Sequence, residues 1–355
     1  MQKQILATGF FLLSLMFPLK VSAQNYDEIY VFGDSLSDSG NVFNDTAGII
    51  PPSPTYFDGR FSNGPIWVEY LAKDLGLTFN PSTDFAVGGA TTGFDNIGLA
   101  GLPGLQQELN SFTAVNKSAD PNALYILWAG TNDDLDYLSG GVPNSSESVA
   151  NLSRAITTLA ADGAKNIMVV NLPDLGKFPV TGGNHQISNA LSAFSDTHNS
   201  ELSATENFLS QNLSPEINLI PLDVNSLFNR IIGAPGDFGL TNVTNSCLPR
   251  DLSVVSIAVP TQPVACTPDK FLFWDEVHPT TTVHQLIGDL AFSALQQTSV
   301  PEPSTVLGVL AFTTLGLYQF FMKMSLIRNA VRAKYRSSQT KKTAPLLGSG
   351  RTQLS

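Results

Sequence analysis

Four short stretches of the chain carry side chains suited to nucleophilic chemistry. Phe32-Gly33-Asp34-Ser35-Leu36-Ser37-Asp38-Ser39-Gly40-Asn41 sets a serine behind a β-rich run. Gly33 permits a tight turn there, and an N–H at a following helix start can face an anion. Trp274-Asp275-Glu276-Val277-His278-Pro279 sets a histidine three residues after a carboxylate. Pro279 biases His278 toward extended backbone, which helps present its ring. A serine hydroxyl becomes a nucleophile only with a base within hydrogen-bond reach, and that base needs an orienting carboxylate. Ser35, His278 and Asp275 are the candidates for those three roles. Phe85-Ala86-Val87-Gly88-Gly89-Ala90-Thr91 adds paired glycines whose N–H groups can approach a ligand, and Ala129-Gly130-Thr131-Asn132-Asp133 adds a carboxamide NH2. Taken singly each stretch has a plain explanation: a helix N-cap for Ser35, simple turns for Gly89 and Asn132. Together they supply a nucleophile, a base, its orienter and donors for an oxyanion.

These groups can act only if one framework brings them to a common edge, and the pattern between them predicts it. Ile29–Phe32 reads as a strand feeding a turn. Ala123–Ala129, Asn166–Val170 and Ile217–Pro221 read as further strands, the first of them apolar throughout, as strands covered on both faces are. Helical spacing marks Pro65–Leu77, Ser145–Asp162, Ile187–Leu213 and Thr282–Gln297. Alternation of this kind predicts a doubly wound α/β domain, in which ligands bind at the carboxyl ends of the strands. The glycine pair is expected to follow a strand of its own. Residues 233–270 show no period and are expected to form a long loop. No Gly-x-Gly-x-x-Gly follows the first strand and no Walker-type loop occurs, so nucleotide binding has no support.

The chain has 355 residues, 43% hydrophobic and 14% charged, enough apolar material for a packed core. The formal net charge of -11 is unevenly spread: residues 24–300 hold 9 basic against 29 acidic side chains, and the eight basic residues from Lys323 onward face no acid. An acidic body argues against a nucleic-acid partner. Residues 1–23 combine Lys3, the apolar run Ile5–Phe17 and Val21-Ser22-Ala23, the pattern of a secretory signal peptide cut after Ala23. Pro303–Met322 is uncharged and long enough to cross a bilayer, so a membrane helix is expected over about 304–322 with the basic tail held inside. Val300-Pro301-Glu302-Pro303-Ser304 resembles the Pro-Glu-Pro signal of PEP-CTERM sorting regions, which implies a sorting protease as partner. The basic residues here are spread along the tail to Ser355 rather than clustered as that family has them. The expected layout is therefore leader 1–23, folded domain 24–299, and sorting segment 300–355. It implies an exported, cell-surface, periplasmic or secreted protein whose anchor is removed or kept during sorting.

The cysteines number two, Cys247 and Cys266, both in the predicted loop. An exported chain with an even count invites a disulfide. A metal pair would need further ligands in the loop. A bridge closing about twenty residues would contribute about 3 kcal/mol in the chain-entropy account.

On its four blocks the sequence resembles the GDSL esterase/lipase family, the SGNH hydrolases, whose Ser, Gly, Asn and His fall on Ser35, Gly89, Asn132 and His278, with Asp275 as the triad acid. The resemblance runs from about Tyr30 to His284. Tyr56-Phe57-Asp58-Gly59-Arg60-Phe61-Ser62-Asn63-Gly64-Pro65-Ile66-Trp67 and Val170–Gly176 are similar to the larger, plant-type and phospholipase-like branch. Asp84 stands where many members have Asn. The resemblance implies a flavodoxin-like three-layer α/β/α fold and serine hydrolysis without metal or cofactor. It also implies an oxyanion hole made by the Ser35 and Gly89 N–H groups and the Asn132 side chain. The expected activity is carboxylic ester hydrolysis. A phospholipase or lipid acyltransferase with the same triad, and a surface binding module without turnover, remain as alternatives. The other histidines, His185, His198 and His284, are expected to be surface or packing residues.

Overall fold

The computed structural model describes residues 26–248, 266–298 and 317–334. The expected leader, the Pro-Glu-Pro stretch and most of the expected span lie outside these residues. Contacts divide the chain into two units, Met1–Ser299 and Val300–Ser355.

In the first unit, β1 (Ile29–Gly33), β2 (Leu124–Trp128), β3 (Asn166–Val170) and β4 (Asn218–Leu222) form one parallel sheet in that order. The register pairs Val31 with Ile126, Ile126 with Met168, and Met168 with Ile220. Side chains alternate between the faces of a strand, and both faces here are covered. Val31, Ile126, Trp128, Met168 and Ile220 pack with α2 (Trp67–Asp74), α7 (Val224–Gly233) and α8 (Thr281–Thr298). Phe32, Tyr125, Leu127, Ile167 and Val169 point the other way into α3 (Leu105–Val115), α5 (Ser145–Asp162) and α6 (His185–Asn212). Double coverage explains why the strands read as unbroken apolar runs. The result is the expected three-layer, doubly wound α/β/α fold.

Local signals set several bounds where they were expected. The Asn144 side chain accepts the Glu147 N–H, and Gly163, left-handed at φ 111°, stops the helix; between them lies α5. The helix predicted over Pro65–Leu77 is shorter, because Gly76 takes φ 76° just after Asp74.

The glycine pair does not follow a full strand. Asp84 makes a single parallel bridge to Val31, and the Phe85 and Val87 N–H groups donate to the Val31 and Gly33 carbonyls at 2.8 and 3.0 Å. This fragment flanks β1 on the side away from β2. The chain thus reverses its winding direction between β1 and β2, the switch point at which such sheets bind ligands. The expected loop 233–270 also needs correction. It contains β5 (Asn242–Ser246), which pairs in parallel with β6 (Phe271–Phe273) as a separate two-stranded sheet. Residues 249–265 of it lie outside the described set. Four α-helices among the described residues of the first unit lie outside the sequence expectation: the short α1 (Asn41–Asp45) and α4 (Thr131–Leu135), and the longer α3 and α7.

In the second unit the described residues 317–334 are one exposed helix. Met322, the expected end of a membrane span, is interior to it, and the helix carries Lys323, Arg328, Arg332 and Lys334. Among the described residues no helix is long and apolar enough to cross a membrane. The helix thus continues without a break past the expected end of the span.

Candidate active site

Ser35 stands two residues past β1 at the sheet's carboxyl edge. Gly33 has φ 148°, and a Cβ there would drive into the Trp128 carbonyl oxygen of the neighbouring strand. Only glycine allows the chain to leave the sheet this close to β2. Asp34 then closes a tight turn, its carbonyl accepting the Ser37 and Asp38 N–H groups and its Oδ1 the Leu36 N–H. The Ser35 hydroxyl is left facing the loop that follows β6.

That loop carries the other two candidates. His278 Nε2 lies 2.8 Å from Ser35 Oγ, and His278 Nδ1 lies 2.7 and 2.9 Å from the two Asp275 oxygens. The Val277 and His278 backbone N–H groups also donate to Asp275 Oδ1, so the carboxylate orients the loop as well as the ring. Burial pushes the Asp275 carboxyl up, but the His278 ring and these donors outweigh it and hold it below the usual range. Asp275 is therefore ionised wherever His278 acts as a base. The three side chains form one continuous hydrogen-bonded relay across more than 240 residues of sequence.

Gly89 lies in the turn that Asp38 ties to the serine segment and Asn132 in the short helix Thr131–Leu135, and carboxylates that sequence reasoning did not single out hold these segments. Asp38 Oδ2 accepts the Gly88 N–H at 2.9 Å, while its oxygens also take the Gly40, Asn41 and Val42 N–H groups. One buried side chain thus ties the serine turn to the glycine pair. Asp133, next to Asn132, accepts the Thr92 N–H at 2.8 Å and its hydroxyl at 2.6 Å. Asn96 donates to the Gly88 carbonyl and accepts from Gly98 and Leu99. Asn132 Nδ2 donates to the Ala90 carbonyl at 2.9 Å, which uses one amide N–H and fixes the plane of the other. Asp84, the departure from Asn, accepts the Ser39 and Ala86 N–H groups, one on each oxygen. The signal for these residues was present, since Asp38 and Asp133 lie inside the quoted blocks and Asp84 immediately precedes one. What they bind was not.

Glu108 on α3 accepts the Gly33 N–H at 2.8 Å, and burial pushes its carboxyl well above the ordinary range. Burial also pushes Asp34 up to about 7, Asp134 to about 8 and Glu206 to about 7; burial and the neighbouring Asp38 push Asp84 up to about 8. His185 is exposed at the start of α6, whereas His198 and His284 are buried, and burial pushes them down to about 4 and about 3. His198 packs against Gly130, and His284 Nδ1 accepts the Trp67 N–H at 3.3 Å, so both serve packing.

These shifts predict how stability depends on pH. A carboxyl with a raised folded value binds its proton more tightly folded than unfolded, so it lowers stability as pH rises toward that value. The buried histidines work in the opposite direction, but only below their ordinary value of about 6.5. Between pH 6.5 and 8 the carboxyls act alone, and the thermal midpoint should fall as pH rises at constant ionic strength. A flat or rising midpoint over that window would mean these groups are ionised without cost.

Known proteins place the chain. A model described as GDSL-like lipase/acylhydrolase matches residues 29–291. The chain is 31% identical to the thermolabile hemolysin of Vibrio parahaemolyticus over 74% of its own length and 62% of the relative's. It is 29% identical to the phosphatidylcholine-sterol acyltransferase of Aeromonas hydrophila, over 76% of its length and 90% of the relative's. It is 30% identical to esterase EstA of Pseudomonas aeruginosa, over 83% of its length and 50% of the relative's. The chain thus spans about half to two thirds of two of these relatives. With the match running from β1 into α8 and containing all four blocks, the chain belongs to the GDSL-like lipase/acylhydrolase family.

Proposed function

We propose that this chain is an exported serine hydrolase of carboxylic esters. The observation that carries the reading is the relay from Ser35 Oγ through His278 to Asp275, with 2.8 and 2.7 Å separations. In it His278 Nε2 takes the Ser35 proton as Oγ bonds to the ester carbonyl carbon. The carbonyl oxygen becomes an oxyanion met by the Ser35 and Gly89 N–H groups and the Asn132 amide. Imidazolium then protonates the departing alcohol as the ester C–O bond breaks. Water, deprotonated by the same ring, releases the acid from acyl-Ser35.

A lipid ester is the favoured substrate, with transfer of the acyl group to an alcohol as the related alternative. Exposed Ile49 and Phe57 lie in the segment after β1, Phe94 and Ile97 in the segment after the glycine pair, Leu138 and Val142 in the segment after β2. Of the large exposed apolar side chains among the described residues of the first unit, these are the ones on segments that leave the site's edge of the sheet. Exposed apolar groups on segments leaving that edge suit contact with acyl chains. A hydrolysis panel spanning short soluble esters, acetylated sugars and phosphatidylcholine vesicles tests both readings. Activity should extend to the vesicles, and Phe94→Ser should lower that activity about tenfold while leaving soluble-ester turnover within about twofold. Turnover of no ester at all would end the assignment, and an equal effect of Phe94→Ser on both substrates would end the lipid reading.

The signal-peptide pattern of residues 1–23, with the acidic body, supports export. The Pro-Glu-Pro stretch and the basic tail support a sorting segment over 300–355, membrane-associated and open to a sorting protease. Export also suits a bridge between Cys247 and Cys266, whose sulfurs meet with Cα atoms 5.5 Å apart. The purified protein, denatured without reductant, should yield no free thiol; two titratable thiols would remove the bridge.

A further inference from the structure

The segment 56–65 supplies no group to the steps just described, yet it is fastened to the histidine loop along its length. Ser62 Oγ donates to the Pro279 carbonyl at 2.9 Å, and Asn63 Oδ1 accepts the Thr281 N–H at 2.9 Å. The Thr281 hydroxyl donates to the Pro65 carbonyl at 2.8 Å. An internal turn (Phe57 N–H to the Ser62 carbonyl) and the Arg60–Glu69 ion pair at 2.7 Å stiffen the segment. At its far end the Tyr56 hydroxyl donates to Asp275 Oδ2 at 2.8 Å, across 219 residues of chain. The Phe61 ring lies against the His278 ring with centroids 5.1 Å apart. Tyr56 is itself set by edge contacts to Phe61 and Trp274 at 6.4 and 6.5 Å.

We infer that Tyr56 is a positioning residue for the ester hydrolysis proposed above, its hydroxyl sharing the Asp275 carboxylate with His278 and thereby setting the basicity of that histidine. The inference rests on the triad reading and adds a fourth group to it. Asp275 Oδ2 is the atom that both His278 Nδ1 and the Tyr56 hydroxyl reach. A donor on a carboxylate drains charge from it and weakens its hold on an imidazolium. Burial and the adjacent Asp275 push the Tyr56 phenol up, so it stays a donor at every working pH. Asp34, from the turn after β1, and His284, from α8, also interact electrostatically with His278. Neither touches Asp275, and Tyr56→Phe alters neither.

The remaining fastenings of segment 56–65 do not involve the phenol oxygen, so Tyr56→Phe should fold as the wild type does. Its acid limb in kcat/KM should move up by about half to one pH unit. At the optimum kcat should fall roughly three- to tenfold with KM nearly unchanged, since the lost bond orients the base rather than the substrate. The His278 ring resonance in the Ser35→Ala protein should show the same upward shift on adding Tyr56→Phe. A limb and resonance within about 0.1 unit of their parents, or moved down, would overturn the role. Those results would leave the triad standing, whereas absence of wild-type ester turnover would remove the triad reading itself.

Discussion

Replacing Ser35 by alanine should abolish ester turnover, by about 10⁴-fold or more in kcat, while leaving the fold and thermal midpoint essentially unchanged. Removing Oγ removes the only atom that can carry the acyl group, and residual rate would come from the oxyanion donors and binding alone. The fold should survive because Ser35 holds none of the turn's backbone. The turn is closed by Asp34, whose carbonyl and Oδ1 take the Ser37, Asp38 and Leu36 N–H groups. The measurement is kcat on a soluble ester beside a melting curve. Activity within tenfold of wild type would show that another group performs the attack, and Ser35 would revert to a turn residue.

Asn132→Ala should be the next most damaging change, costing about 10²–10³ in kcat, the usual scale for one oxyanion donor. Its effect should fall on kcat rather than KM, because the oxyanion exists only after attack. The buried side chain is oriented by its bond to the Ala90 carbonyl at 2.9 Å, so the substitution also frees that carbonyl. Asn132→Asp separates the two contributions. It retains the shape but places acceptors where a donor is needed, and it should be no more active than the alanine variant. Full activity in either variant would take Asn132 out of the hole.

Several features were legible because their causes are local in sequence. The strands are short apolar runs, and α5 lies between a side-chain cap at Asn144 and a left-handed glycine at Gly163. The block residues Ser35, Gly89, Asn132, Asp275 and His278 were readable because strand ends and turns confine them to few conformations. α3 carries a local signal of the same kind, with Leu105, Leu109 and Phe112 on one face.

What remained hidden depends on groups far apart in the chain. Residues 84–87 join the sheet only through Val31 and Gly33, and no periodicity within four residues can announce a one-sided pairing. The parallel pairing of β5 with β6 needs two segments more than twenty residues apart, one of them polar and half exposed. Asp38 reaches Gly88 across 50 residues and Tyr56 reaches Asp275 across 219. By itself the sequence determined which chemistry this protein is equipped for, because residue type and local turn geometry decide what a side chain can donate, accept or attack. Which carboxylates brace the loops, and which hydroxyl shares the triad acid, was decided only by the tertiary structure. A hydrogen bond depends on distances of a few tenths of an ångström, and between remote segments only the packed core sets them.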